Sequence, residues 1–158
     1  MEPSRSAAES EPLPPSLDAF DRRLSGFMRR WGVLALRVSL AVIFVWFGIL
    51  KPLGLSPAGP LVRATVGWMP LLSPDGWVAV IGWWEVLIGV TFLFHRTIRI
   101  AIALLALQMG GTFLPLVLLP HVAFQVVPFV PTIEGQYIIK NLIIISAALV
   151  VGGTVRER

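Results

Sequence analysis

The chain has 158 residues, of which 56% are hydrophobic and 14% charged, whereas an ordinary soluble domain has about 45–50% apolar and about 25% charged residues. With a mean hydropathy of +0.80, it carries more apolar surface than a soluble domain of this size can bury, which excludes an ordinary soluble enzyme, a disordered chain and a disulfide scaffold. It has no cysteine, which also excludes thiol catalysis, cysteine-ligated clusters and the usual structural zinc sites. A polytopic membrane protein remains. The net charge of +4 fits membrane topology better than nucleic-acid binding, because the basic residues flank apolar runs.

Residues 1–15, MEPSRSAAESEPLPP, are polar and rich in Pro and Ser, and read as a disordered tail. Residues 16–30 read as an amphipathic helix at the membrane interface. Ser16 suits its cap and Asp18 its first turn. Leu17, Phe20, Leu24, Phe27 and Trp31 recur at helical spacing, and Arg22, Arg23, Arg29 and Arg30 are available to anionic headgroups. The pair Arg22-Arg23 has only a loose likeness to a twin-arginine signal.

Four spans follow, over about 31–53, 76–94, 98–119 and 135–153, each near the ~20 residues that cross the hydrocarbon as a helix. The fold class is therefore all-α: an integral-membrane four-helix bundle with an N-terminal amphipathic segment and a cytoplasmic C-terminal tail over 154–158. In residues 54–75, Ser56 and Pro57 are placed to open a short helix, and Ser73-Pro74-Asp75 to open span two. Residues 120–136 are Pro-rich and aromatic, suited to folding over the outer mouth of the bundle.

Arg5, Arg22, Arg23, Arg29, Arg30, Arg96, Arg99, Arg156 and Arg158 fall on one side of these spans, and Arg63 alone on the other. Basic residues mark the cytoplasmic side, so both termini are expected in the cytoplasm and the protein in the inner or plasma membrane, with no cleavable signal needed.

Ionisable groups inside a span cost at least ~2.5–3.5 kcal/mol each. Arg37, Lys51, Glu85 and Lys140 are the four here, and Gln108 is a polar fifth. Glu85 shares a helical stripe with Val78, Gly82, Gly89 and Phe92, whose glycines invite close approach of another helix. Arg37, Ala41, Phe44, Gly48 and Lys51 share one stripe of span one. At 1.5 Å per residue, Glu85 and Gln108 lie at similar depth, with Arg37 ~7 Å inward and Lys140 ~7 Å outward. Glu85 is thus read either as the partner of Arg37 or Lys140, pinning helix register, or as a carboxylate that takes up a proton or binds a polar headgroup. Lys51, at a span end, is expected to snorkel. Gly110, Gly111 and Pro115 point to a kink in span three, as packing or as the lining of a pocket. His95 and His121 fall on opposite faces, about 30 Å apart, and no metal site is expected.

The chain resembles the DoxX family and its DoxX-like relatives in RVSLAVIFVWFGILK, GWWEVLIGVTFLF, LPLVLLP and PTIEGQYIIKNLIIISAALVVGG, over roughly residues 31–153. The resemblance implies a four-helix bundle with both ends cytoplasmic and a role beside membrane redox enzymes in oxidative-stress defence. It singles out Arg37, Lys51, Glu85, Lys140 and Asn141. The function expected is a non-catalytic accessory or quinone-interacting subunit. Its quinone pocket would lie near Glu85, Gln108, Trp46, Trp83 and Trp84, since a quinone needs an apolar slot and one or two hydrogen-bond partners. The alternatives are a small proton-coupled transporter, which would have to be a homodimer, and an assembly or structural protein. The partners implied are the lipid bilayer, a redox-enzyme subunit or a second copy, not nucleic acid.

Overall fold

The computed structural model describes residues 15–156, most of them helical. Among the described residues, four elements are long and apolar enough to cross a membrane: Leu17–Leu50, Pro74–Leu93, His95–Leu118 and Ile133–Gly153. The chain is an all-α, four-helix membrane protein. The polar tail expected over 1–15 lies, but for Pro15, outside the described residues, as do residues 157–158 of the C-terminal tail.

Helix α1 runs from Pro15 to Leu50, so the segment expected as a separate amphipathic helix over 16–30 is continuous in the chain with span one. No proline interrupts it, and Gly26 and Gly32 weaken a helix by only about 1 kcal/mol each. Residues up to Gly32 and residues from Val33 onward form two compact units, and the bundle belongs to the second. A Schellman turn ends α1. Gly54 N–H donates to Lys51 O at 3.0 Å and Leu55 N–H to Leu50 O at 2.9 Å. Gly54 sits there at φ +72°, a left-handed conformation that costs glycine nothing.

Helix α2 spans Gly59–Val66, with Pro60 in its first turn and no side-chain cap at Ala58. It begins later than Ser56-Pro57 suggested, because the Ser56 carbonyl instead closes a turn with Gly59 N–H at 3.0 Å. Helix α3, Pro74–Leu93, starts as expected: the Ser73 hydroxyl accepts from Gly76 N–H at 3.2 Å. A turn of 3-10 helix over His95–Thr97 leads into α4, Ile98–Leu118, which stays helical on both sides of the buried Pro115.

The connection after α4 is more ordered than its proline content suggested. Helix α5, Pro120–Ala123, is followed by a two-stranded antiparallel hairpin of β1, Phe124–Val126, and β2, Val130–Pro131. Thr132 then joins three pieces. Its hydroxyl donates to Val122 O at 2.6 Å and accepts from Gly135 N–H at 3.1 Å, which caps α6, Ile133–Ile139. Gly135 has no room for a side chain, since a Cβ there would lie 1.9 Å from Ala123 O.

Span four is not one ideal helix. A break at Lys140 separates α6 from α7, Asn141–Gly153. The Asn141 amide donates to Tyr137 O and Ile138 O at 3.0 and 3.1 Å, competing for carbonyls that the helix ladder would use.

Leu40, Ala41 and Phe44 of α1 pack with Ile88 and Phe92 of α3, with Ala101 and Leu105 of α4, and with Ala148 and Val151 of α7. Glycines set the closest approach. A Cβ on Gly82 would lie 2.6 Å from Gly48 O, and one on Gly89 would lie 2.8 Å from Ala41 O. By contrast, nothing lies within 4 Å of a Cβ on Gly110 or Gly111. Gly82→Ala and Gly89→Ala are therefore expected to lower unfolding stability in detergent by at least about 1 kcal/mol through overpacking. Gly110→Ala should raise it by about 0.5–1 kcal/mol through helix propensity. Denaturant titration of the three variants reads both signs.

Candidate functional site

Helices α1 and α3 run antiparallel. Gly48 lies against Gly82 and Glu85, Ala41 and Val45 lie against Gly89, and Arg37 reaches the last residues of α3. Helical side chains lean toward their own N-terminus. In an antiparallel pair that tilt is convergent here: Lys51 leans back along α1 while Glu85 leans the opposite way along α3.

The two meet. Lys51 Nζ forms an ion pair with Glu85 Oε2, and the side chains are only 8% and 14% exposed. Glu85 Oε1 accepts from Gln108 Nε2 of α4 at 3.1 Å. Three membrane-length helices thus each supply one polar group, and both carboxylate oxygens are occupied. Each charge alone would cost at least ~2.5–3.5 kcal/mol in hydrocarbon, so the pairing is what makes either tolerable. Close by, Trp84 Nε1 donates to Leu104 O of α4 at 3.3 Å.

The structure corrects the partner expected for Glu85: it is Lys51, rather than Arg37 or Lys140. Lys51 is buried rather than snorkelling, because counting its depth along the helix ignored the backward tilt of its side chain. Arg37 has another task. Its Nε and Nη2 donate to Phe92 O and Leu93 O at 3.3 and 2.8 Å. The final carbonyls of a helix lack intrahelical donors and carry the negative end of its dipole, so a cation is favoured there. The same face of the chain therefore holds α3 at two points, Glu85 and the Phe92–Leu93 carbonyls, about 11 Å apart along α3.

The other residues picked from sequence lie apart from this cluster. Lys140 is exposed, with its ammonium 5.5 Å from the Tyr137 ring centroid, and Asn141 bonds its own helix. Trp46 and Trp83 are 63% and 57% exposed on the surface of the bundle, so only Trp84 of the three tryptophans turns inward. Trp46 borders a shallow apolar cleft with Ala41, Val42, Val45 and Leu93. Gly110 and Gly111 sit on open surface, away from any close helix contact.

One contact escaped the sequence reading. Arg63 Nε of α2 donates to Asp75 Oδ1 at 2.5 Å, at an exposed position in the first turn of α3. The available signal was that Arg63 is the sole cation between spans one and two, with Asp75 at the next helix start. An exposed pair of this kind adds little stability. Among the described residues, no group of three or more His, Asp or Glu is arranged to hold a metal ion. Comparison with known proteins found no protein-family profile, curated sequence or solved structure that matches the chain.

Glu85→Gln leaves the Lys51 charge buried without its counter-ion, and removal of one partner from a buried pair costs about 3–5 kcal/mol. Lys140→Gln, at an exposed site, should change stability by less than about 0.5 kcal/mol. Unfolding of both variants in the same detergent tests the contrast.

Proposed function

We propose that the chain is a non-catalytic integral-membrane subunit of a membrane redox or oxidative-stress system, a DoxX-like protein with both termini in the cytoplasm. The motifs in spans one, two and four support the family reading. The one-sided distribution of arginines supports the orientation.

One observation carries the subunit reading. Both oxygens of Glu85 are engaged by groups of the same chain, while Trp46, Phe47 and Trp83 stand exposed on the surface. The interior is thereby committed to holding the helices together. The aromatic exterior is what the chain offers to a neighbour in the membrane. Catalysis belongs, in this reading, to a partner that carries the redox centre.

Quinone interaction fits the same residues in one specific way. A quinone carbonyl can only accept hydrogen bonds, and the Gln108 amide has two N–H groups. One faces Glu85, which leaves the second to donate to a quinone. Gln108 is then the contact and Glu85 the group that orients it.

Native mass spectrometry after gentle extraction from the membrane of origin tests this. The expected spectrum shows the chain bound to a subunit with a flavin or haem, together with a retained quinone. Gln108→Leu, which leaves the Lys51–Glu85 pair in place, should lose the quinone and keep the partner. A bare monomer or homodimer contradicts the proposal and favours a self-contained role such as transport.

A further inference from the structure

Residues 17–31 of α1 present an apolar stripe that nothing in their own unit covers. Leu17, Phe20, Leu24, Phe27 and Trp31 are 44% to 64% exposed. They recur at intervals of three and four, the spacing that aligns side chains on one face of a helix. Arg22, Arg23, Arg29 and Arg30 occupy the rest of the circumference. The two acids of the segment are Asp18 and Asp21, and Asp18 is already held by Arg22 at 2.8 Å. The guanidinium of Arg30 lies 5.8 Å from the Trp31 ring centroid, which places a cation and an amphipathic aromatic side by side.

We propose that this segment is a binding site for anionic phospholipid, with its aromatic stripe in the headgroup–acyl boundary and its arginines on lipid phosphates. Three observations select lipid over a second copy of the chain. The stripe is made of Leu, Phe and Trp, the residues that interfacial helices bury. The charge is complementary to an anionic surface, where each arginine adds to binding, whereas two copies would bring like-charged segments together. The stripe also forms the N-terminal part of the membrane-length segment Leu17–Leu50, so a bilayer surface lies within reach of the chain itself. The site is independent of the Lys51–Glu85–Gln108 cluster and of any redox role.

The absence of cysteine makes the test clean. Phe20→Cys, Phe27→Cys and Ser25→Cys are introduced singly into the full chain and spin-labelled. Each is reconstituted in nanodiscs of phosphatidylcholine alone or of equimolar phosphatidylcholine and phosphatidylglycerol. With phosphatidylglycerol, labels at 20 and 27 should become accessible to oxygen and shielded from a water-soluble nickel complex, while the label at 25 stays exposed to nickel. Combined Arg22→Gln, Arg23→Gln, Arg29→Gln and Arg30→Gln replacement should abolish that shielding. Three results overturn the proposal: equal nickel access at 20, 25 and 27; shielding that is the same in both lipids; or dipolar broadening between labels in both lipids, which assigns the stripe to a second copy.

Discussion

Glu85 lies within a membrane-length helix, where hydrocarbon cannot solvate its charge, and everything around it answers that constraint. Lys51 comes from the turn that closes α1 and Gln108 from α4, and between them they take both carboxylate oxygens. Because the three groups stand on three different helices, the bond set also specifies which helices are neighbours. An apolar core of Leu, Ile and Val packs in several registers at similar energy, particularly where lipid is as apolar as the side chains. An ion pair in that setting has one good register and a costly penalty for missing it.

The pair depends in turn on features with no charge at all. Lys51 and Glu85 meet because Gly48, Gly82 and Gly89 let the backbones of α1 and α3 approach closely. A larger residue at any of these would separate the helices and stretch the pair. At the other end of the interface, Arg37 holds the terminal carbonyls of α3. It works on a helix terminus rather than a side chain, and so does not compete with Lys51 for Glu85. Arg37 and Lys51 are thereby given separate partners. The closing Schellman turn at Gly54 fixes where α1 ends and therefore the height from which Lys51 leans back.

Much of this was legible in the sequence. Length and hydropathy suffice for four spans, since ~20 apolar residues are a strong and local signal. The stripes through Gly48 on α1 and through Gly82 and Glu85 on α3 identify the faces that pack, because helical periodicity converts spacing into direction. The partner of Glu85 was less legible. Depth counted by residue number treats side chains as perpendicular to the helix, and it put Lys51 at the membrane edge and Lys140 within reach. The backward tilt of side chains on antiparallel helices reverses that ranking. Tertiary contacts also decided the segment after α4. Residues 120–136 were expected to fold over the mouth of the bundle with no element assigned to them, and Thr132 bonded to Val122 and Gly135 organises a hairpin and a helix start there. The outward placement of Trp46 and Trp83 was not legible either, since an aromatic residue fits a pocket, a core and a lipid-facing surface alike.

Glu85 is coupled energetically to Lys51 and to no other cation of the spans. Double-mutant cycles measure this directly, using Glu85→Gln with Lys51→Met, with Arg37→Gln and with Lys140→Gln. Groups in direct contact couple by about 0.5–3 kcal/mol, and separate ones add within about 0.5 kcal/mol. Coupling near the upper end of that range is expected for Lys51, and additivity for Lys140 and Arg37. Additivity at Lys51, or coupling of Glu85 to Lys140, would contradict it.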